Sequence, residues 1–164
     1  MSLNTLQEAH QNYQAARQQV LDRQESWQNE VKAFIRQSLE ALKLQNQLDG
    51  EIKEENKITN IEAIYLDLGQ TKTEIQVKNG AERKTLKRSE GSLMYSQLYN
   101  GKISVWIRYP KIQKLMKRKA PKVLDVYEPL ELTAEQIEAH VKTFYEELTL
   151  WINQQTAAQR PIGF

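Results

Sequence analysis

Cysteine is absent from this 164-residue chain, and histidine occurs only twice, at His10 and His140. The absence of cysteine excludes disulfide bonds, thiolate metal sites and a cysteine nucleophile. Neither histidine has a neighbour at metal-ligand spacing, so we expect each to lie at the surface or to be satisfied by hydrogen bonds at an edge of the fold. The sequence therefore predicts neither a metal site nor a cofactor.

Long apolar runs and the common catalytic motifs are also missing. No stretch approaches the roughly 20 apolar residues that cross a bilayer, and the N-terminus lacks the basic segment and apolar region of a secretory signal. The chain contains no P-loop, serine-centred elbow, dinucleotide-binding glycine pattern or zinc-ligand spacing. These absences predict a cytoplasmic protein without membrane contact, and they favour a binding protein over an enzyme.

A net charge of only +2 conceals an uneven distribution of charge along the chain. Residues 1–82 carry 9 Lys/Arg and 13 Asp/Glu, whereas residues 83–122 carry 12 Lys/Arg and a single acid, Glu90. Residues 123–164 are acidic again, with 2 Lys/Arg and 7 Asp/Glu. The strongly basic middle segment is the feature of composition that points most directly to an anionic partner.

Apolar residues return at every seventh position over the first 48 residues, with no proline or glycine before Gly50. The series comprises Leu6, Tyr13, Val20, Trp27, Phe34, Ala41 and Leu48. Seven residues make almost two helical turns, so the pattern predicts one helix that runs to Leu48 and stops at Asp49-Gly50. Such a helix would be about 68 Å long, more than a globule built from the remaining residues could cover. Because large apolar residues concentrate after Trp27, we expect residues 1–25 to project as an arm.

Alternating apolar residues after position 60 predict β-strands. Following a polar connector at 51–60, we expect strands at about 61–68, 73–77, 81–88, 92–99 and 102–109, with turns at Gly69-Gln70, Asn79-Gly80, Glu90-Gly91 and Asn100-Gly101. Five consecutive strands with short turns are typical of an antiparallel meander.

The last third of the chain is predicted to end in an amphipathic helix. Residues 111–122 fit either a short helix or a basic loop, and residues 123–132 fit an extended segment broken by Pro129. Thr133 and Gln136 form a capping-box pattern that opens a helix of about 134–156. Its apolar stripe is Ile137, Val141, Phe144, Leu148, Trp151 and Ile152. Residues 1–164 are thus predicted to form a single α+β domain with a long N-terminal helix, a five-stranded antiparallel meander sheet and a C-terminal helix.

The hairpin around Asn100-Gly101 also predicts a register. A two-residue loop pairs Tyr99 with Lys102, which places Tyr95 directly across from Trp106 on the side of the sheet away from the core. If both helices pack on the other side, this aromatic face is open to a ligand.

The favoured functional prediction is a non-enzymatic module that binds a partner or oligomerises. Tyr13, Val20 and Leu21 give the arm a thin apolar seam, which would pack against a second copy or against a helix of a partner protein. Two alternatives stay open: the C-terminal helix folds back and covers the arm, or the helix is an ordinary amphipathic helix of its own domain.

The second functional prediction is nucleic-acid binding by residues 83–122 and the aromatic sheet face. Basic side chains would neutralise phosphates and aromatic rings would stack on bases. The residues expected to take part are Tyr95, Tyr99, Lys102, Trp106, Arg108, Lys111, Lys114, Lys117, Arg118 and Lys119. Two simpler explanations remain, namely burial of the rings under a helix and neutralisation of the cations by the acidic flank at 128–147.

A third functional prediction is a metal-dependent nuclease. Asp67 and Glu74 fall on neighbouring predicted strands, and two carboxylates can hold Mg²⁺ for phosphodiester hydrolysis. Nucleases of the restriction-enzyme type carry a lysine two positions after the glutamate, where this chain has Gln76. The departure disfavours this alternative.

Overall fold

The computed structural model describes residues 2–113, 115 and 117–154, and it has the predicted α+β architecture. Its helical segments are α1 (Ser2–Ser26), a π-helical turn (Trp27–Val31), α2 (Lys32–Asn46), a 3-10 turn (Pro129–Glu131) and α3 (Ala134–Asn153). The first three segments follow one another without a break and form the long N-terminal helix.

In the described part of the chain, eight strands form two antiparallel sheets. Their bounds are β1 (Glu51–Glu55), β2 (Ala63–Asp67), β3 (Gln70–Asn79), β4 (Glu82–Ser89), β5 (Ser92–Gln97), β6 (Ile103–Arg108), β7 (Lys111–Ile112) and β8 (Lys122–Tyr127). One sheet has the order β1-β2-β5-β6-β8 and the other the order β3-β4-β7. The five-stranded antiparallel sheet is confirmed, although its strands are not the five consecutive ones that the sequence predicts.

The two sheets are joined by strands that continue from one into the other. Asp67 pairs with Ser92 before the junction and Gln70 pairs with Ser89 after it, in the same register. The neighbouring ladder of β5 and β6 likewise continues into that of β4 and β7. Three long strands therefore pass from the larger sheet into the smaller one.

Gly69 and Gly91 lie at this junction, and both have positive φ, 82° and 97°. The prediction of turns at these glycines is therefore wrong, because the strands bend there without reversing. Glycine adopts positive φ without the steric cost that other residues meet, so it suits a sharp bend within a strand. We call this junction the strand bend.

The hairpin between β5 and β6 has a three-residue loop, Tyr99-Asn100-Gly101, and the predicted two-residue loop is wrong. The N–H of Leu98 donates to the carbonyl of Lys102 at 2.8 Å, and only Gly101 in the loop has positive φ. Three-residue hairpin loops commonly consist of a tight turn followed by a residue in the left-handed conformation, which is Gly101 here. The register moves by one residue, which turns each side chain of one strand to the opposite side relative to its partner.

The corrected register separates the two aromatic residues that were expected to pair. Tyr95 now lies opposite Val105, and Trp106 lies opposite Met94. Tyr95 is completely buried in the core, whereas Trp106 is partly exposed on the other side of the sheet. The predicted Tyr95/Trp106 face therefore does not exist.

The core lies between the helices and one side of the five-stranded sheet. Its members include Trp27, Val31, Ile35 and Leu39 from the long helix, Ile64, Leu66, Leu93, Tyr95, Ile103, Val105, Ile107 and Tyr109 from the sheet segment, and Ile137, Val141, Phe144, Leu148 and Trp151 from α3. The capping box at Thr133 is present and the stripe of α3 is confirmed, except that Ile152 is exposed. Both helices pack on one side, and no described helix covers the opposite side, where Tyr65 and Trp106 are partly exposed.

The seven-residue series does not describe how the long helix packs. After Trp27 the buried positions follow at intervals of four, and Phe34 and Ala41 are exposed. The helix ends at Asn46 and not at Leu48, because Gln47 adopts the left-handed conformation and its N–H donates to the carbonyl of Lys43. A repeat of seven therefore located the helix correctly but not its buried face.

Of three segments outside the main helices, two differ from prediction. Residues 51–55, expected in a polar connector, form the edge strand β1, whose alternate residues Ile52 and Glu54 are partly buried. Residues 122–127 are extended, as expected, and pair with β6 as β8. The basic stretch begins with the short strand β7, and a helix is not present among its described residues.

Candidate functional site

A cavity of about 220 Å³ lies at the strand bend. Its lining residues are Asp67, Gly69, Gln70, Ser89, Gly91, Ser92, Arg108, Tyr109 and Arg118. They come together because three strands change direction at the same level, and the segment after β7 returns Arg118 to the bend. We call this space the corner cavity.

Serine hydroxyls hold both guanidinium groups of the corner cavity. Arg118 Nη2 donates to Ser89 Oγ at 3.3 Å, and Arg108 Nη2 donates to Ser92 Oγ at 3.3 Å. Ser89 Oγ also accepts from the backbone N–H of Lys111 at 3.1 Å, which ties it to β7. Each guanidinium has five N–H donors, so one bond to serine leaves most of its donors available.

The two guanidinium groups repel each other. The pKa of Arg118 is lowered by desolvation and, in addition, by the positive charge of Arg108. In the described part of the chain, no carboxylate lies within 4.0 Å of either group as an ion pair. A bound anion would relieve this repulsion, which is the electrostatic character of an anion site.

Asp67 is the one acidic residue that lines the corner cavity, and its charge is already compensated. Lys53 Nζ lies 2.9 Å from its Oδ2, and Ser92 Oγ donates to its Oδ1 at 3.0 Å. Desolvation acts to raise the pKa of Asp67, but the hydrogen bonds from Lys53, Ser92 and the Gly69 N–H, together with the charge of Lys53, outweigh it and the pKa is lowered. The carboxylate is therefore ionised and paired, and it does not cancel the charge of the two guanidiniums.

A second cavity of about 400 Å³ adjoins the first and extends along the smaller sheet. It is lined by Gln70, Lys84, Thr85, Lys87, Ser89, Lys111, Gln113 and Arg118, of which Gln70, Ser89 and Arg118 are shared with the corner cavity. Lys84, Lys87 and Lys111 form no ion pair with the described carboxylates. We call this space the basic groove.

The open side of the five-stranded sheet begins next to Arg108. Across the strands, Tyr65 pairs with Met94 and Met94 with Trp106, so these three side chains form one row. Arg108 lies two residues beyond Trp106 on the same side of β6, about 7 Å along the strand. Its guanidinium carbon is 5.9 Å from the centroid of the Tyr65 ring. The row, here called the open aromatic row, is therefore continuous with the corner cavity.

Only some of the residues predicted for nucleic-acid binding belong to this surface. Arg108, Lys111 and Arg118 line the cavities, and Trp106 lies in the open aromatic row. Tyr95 is wrong for this role, because it is buried and its hydroxyl contacts His140.

The remaining predicted residues lie outside the cavities. Tyr99 is 89% exposed at the tip of the hairpin loop, and Lys102 lies 3.9 Å from Glu128. Lys117 is exposed, and Lys119 Nζ sits 4.5 Å from the centroid of the Tyr109 ring. Lys114 lies outside the described residues.

The acidic flank neutralises a small part of the basic segment. Glu128 pairs with Lys102 and also with Arg23 of α1, and Glu147 pairs with Lys122 at 2.6 Å. The cations of the corner cavity and the basic groove are not reached by these acids.

Sequence reasoning missed the polar residues that organise the surface. Ser89 and Ser92 position the guanidiniums, and Gln70, Lys84 and Lys87 line the cavities. Lys84 and Lys87 fall in the basic segment, so their positive charge could be recognised from the sequence. The serines carried no signal, because their role depends on strands that pair across the bend.

The arm residues predicted to bind a partner are largely exposed. Tyr13 and Leu21 are 59% and 57% exposed, and the guanidinium of Arg17 lies over the Tyr13 ring. Val20 is partly buried where the helix meets the Gly101 turn. All side chains from Thr5 to Gln19 are exposed, and α3 packs against α2 and does not cover them.

The residues proposed for a nuclease site show a different arrangement. Asp67 is paired with Lys53, and Glu74 is exposed on β3 where the ladder is irregular. Among the described residues, no three His, Cys, Asp or Glu side chains come together as a metal-binding group. Asp67 thus belongs to an ion pair and not to a carboxylate cluster.

No described helix is both long and apolar enough to span a membrane. Comparison of the chain with protein-family models, curated proteins and solved structures finds no match. Inferences about function therefore depend on the geometry and charge of the surface itself.

Proposed function

We propose that the protein binds single-stranded nucleic acid across the corner cavity, the basic groove and the open aromatic row. One observation carries the proposal: five cationic side chains line two adjoining cavities without a carboxylate partner in the described chain. They are Lys84, Lys87, Arg108, Lys111 and Arg118. Phosphate groups are the anions that such a cationic track favours, since guanidinium donors match phosphate oxygens in geometry.

The open aromatic row supports a single strand over a duplex. Its partly exposed rings, Tyr65 and Trp106, lie beside the cation of Arg108, and Trp106 is fixed by a 3.0 Å bond from its Nε1 to Ser96 Oγ. Bases of a single strand can stack on such rings while the phosphates follow the cations. Bases inside a duplex are already stacked on each other and would not use these rings.

The test is a titration of a labelled, mixed-sequence single strand at several salt concentrations. The logarithm of the affinity should fall linearly with the logarithm of the salt concentration, by about 0.7 for each phosphate contacted. Lys87→Gln should weaken binding and reduce this slope by about 0.7, since one contact is lost. Trp106→Ala should weaken binding by about 1–3 kcal/mol per stacked base without changing the slope.

Lys142 supplies the matched control. It is an exposed lysine on α3 that pairs with Glu146 and lines neither cavity. Lys142→Gln removes the same charge as Lys87→Gln and should leave binding unchanged. Absence of binding at low salt, or equal effects of the two substitutions, would contradict the proposal.

A second proposal concerns the arm, and a separate observation favours it. Leu6, Tyr13 and Leu21 are each more than half exposed, and every side chain of residues 6–18 is exposed. Burying apolar surface contributes about 25 cal/mol per Å², so a helical partner or a second copy would be stabilised by covering this seam. The chain would then combine a nucleic-acid surface with an arm for protein contact.

A further inference from the structure

The corner cavity and the basic groove differ in shape, and the difference bears on which phosphate each can hold. The basic groove runs along the smaller sheet and is about 400 Å³, whereas the corner cavity is about 220 Å³ and more enclosed. Backbone of the bending strands at Gly69 and Gly91 forms part of its wall. A phosphodiester within a nucleic-acid strand is linked to a nucleotide on each side, so its site needs two openings for the chain. A terminal phosphate is linked on one side only, so its site needs one opening.

The charges of the corner cavity also distinguish the two kinds of phosphate. A phosphodiester carries one negative charge, whereas a phosphomonoester approaches two at neutral pH because its second pKa is near 6. Arg108 and Arg118 supply two positive charges there, each oriented by a serine. The carboxylate of Asp67 is paired with Lys53, so it does not neutralise the two guanidinium groups.

Both guanidinium groups keep donors that could reach a ligand in the corner cavity. In each guanidinium, Nη2 donates one hydrogen bond to the serine. The other N–H groups of both guanidiniums remain available for a ligand. Guanidinium groups bind phosphate oxygens through paired, charge-assisted hydrogen bonds, which a lysine ammonium does not reproduce in geometry. Two guanidiniums therefore fit a terminal phosphate better than a bridging one.

We propose that the corner cavity holds the terminal phosphomonoester of a nucleic-acid strand, while the strand continues into the basic groove. This inference rests on the proposed nucleic-acid function and names the part of the ligand that enters the bend. Arg118 is the cationic residue that lines both spaces.

The experiment compares four strands of one sequence: a 5′-phosphorylated, a 3′-phosphorylated, a doubly phosphorylated and an unphosphorylated strand. At moderate salt, a strand with the recognised terminal phosphate should bind about tenfold more tightly than the unphosphorylated strand, the scale of one good charge-assisted hydrogen-bond pair. Comparison of the two singly phosphorylated strands shows which end is recognised. Inorganic phosphate, used as a competitor, should reduce that tenfold preference, because it occupies the same cavity.

Two substitutions separate the corner cavity from the groove. Arg118→Lys keeps the charge but loses the paired donors, so the affinity for the terminally phosphorylated strand should fall several-fold more than the affinity for the unphosphorylated strand, and the preference should shrink. Lys84→Gln changes a residue that lines only the groove, so it should weaken all four strands equally and leave the preference intact. Circular dichroism verifies that both variants are folded.

The outcomes distinguish this inference from the function on which it rests. If all four strands bind with equal affinity, the terminal-phosphate inference is overturned and the nucleic-acid function stands. A preference that Arg118→Lys leaves unchanged, or that Lys84→Gln abolishes, overturns it as well. If no strand binds even at low salt, both fail together.

Discussion

At the scale of single residues, His140 shows how a buried polar group is accommodated. Its Nδ1 lies 3.1 Å from the Tyr95 hydroxyl and its Nε2 lies 2.9 Å from the Tyr127 hydroxyl. A neutral imidazole has one donor and one acceptor nitrogen, so one tyrosine accepts a hydrogen bond and the other donates one. The ring thereby joins α3 to β5 and β8, and the expectation that hydrogen bonds satisfy it is confirmed, although its position is in the core.

Protonation of His140 should make the protein less stable at mildly acidic pH. Burial holds the pKa of His140 below its ordinary value of 6.5, and the charge of Asp125 offsets this only in part. The unfolded chain therefore takes up the proton first, so the free energy of unfolding is highest above pH 6.5 and falls as the pH decreases below it. Urea denaturation at pH 7.5 and 5.5 measures the decrease.

His140→Gln identifies the source of that pH dependence. The acids Glu62, Asp67, Glu128 and Glu147 all have lowered pKa values, and their contribution is lost only below about pH 4.5. The variant should therefore lose much of the change between pH 7.5 and 5.5. An equally steep decrease in the variant would show that another group titrates.

At the scale of elements, the strand bend is what brings the candidate site together. Gly91 is the tighter of its two glycines, because a Cβ added there would lie 3.0 Å from the Arg108 carbonyl oxygen and 3.3 Å from Leu148 Cδ2. Nothing lies within 4 Å of a Cβ added at Gly69. The two positions share a positive φ and differ in the space around them.

We expect Gly91→Ala to destabilise the protein more than Gly69→Ala. Both substitutions force alanine into positive φ, which costs about 1–3 kcal/mol, but only the first also pushes against backbone. Thermal and urea denaturation of the two variants measure the difference. A cost at Gly69 equal to or greater than that at Gly91 would show that contact with Arg108 and Leu148 does not matter.

The π-helical turn at Trp27–Val31 affects which residues of the long helix face the core. Lys32 N–H donates to the carbonyl of Trp27, five residues earlier, and the buried positions within and after this turn, Trp27, Val31, Ile35 and Leu39, are spaced by four. Four residues of a regular α-helix overshoot one turn by about 40°, and a wider π turn reduces the drift. Glu62 fixes the turn, since its carboxylate accepts from Trp27 Nε1 at 3.2 Å and from Gln28 Nε2 at 3.1 Å.

Deleting Asn29 tests whether the π turn is one extra residue in an α-helix. Asn29 is exposed, and its removal would let the helix continue with regular bonds and keep both flanking segments in phase. We expect a modest loss of stability. Deletion of Gln37, exposed in α2, should cost more than about 3 kcal/mol, because it rotates Leu39 by about 100° out of the core. Thermal melts of the two variants give the comparison, and equal losses would contradict it.

At the scale of the whole molecule, the described contacts of the arm with the globule lie around Val20 and Arg23. Arg23 donates to Glu128 at 2.8 and 2.9 Å and to the Asn100 carbonyl at 3.2 Å. Residues 5–19, which precede this contact, are exposed on every side of the helix. The exposed side chains of residues 6–18 therefore bury little surface against the described part of the globule.

Removal of residues 1–19 should separate folding from association. The free energy of unfolding should change by about 0.5 kcal/mol or less, the range of surface changes that remove no buried contact, and the affinity for a single strand should persist. Light scattering should give a mass above 19.2 kDa for the full chain if a second copy covers the seam, and the mass of a monomer for the truncated chain. A full chain that is monomeric would redirect the second proposal to a different protein partner.

The sequence by itself determined the helices, the location of most strands and the basic segment. Helical periodicity, the capping box at Thr133 and the alternation after residue 60 depend on neighbours along the chain, so they are visible without tertiary structure. Strand β1 (Glu51–Glu55) was missed because its sequence is mostly charged. It lies at the edge of the sheet and pairs with one neighbouring strand only. Local patterns therefore specified the class of fold and the elements within it.

Only the tertiary structure decided how these elements present a surface. One additional loop residue at Tyr99-Asn100-Gly101 moved the register and buried Tyr95, since side chains alternate every residue along a strand. The strand bend then brought Arg118 to Ser89, 29 residues away in sequence. Such a contact arises from pairing between distant strands, which no local pattern encodes, and it is the contact on which the candidate site depends.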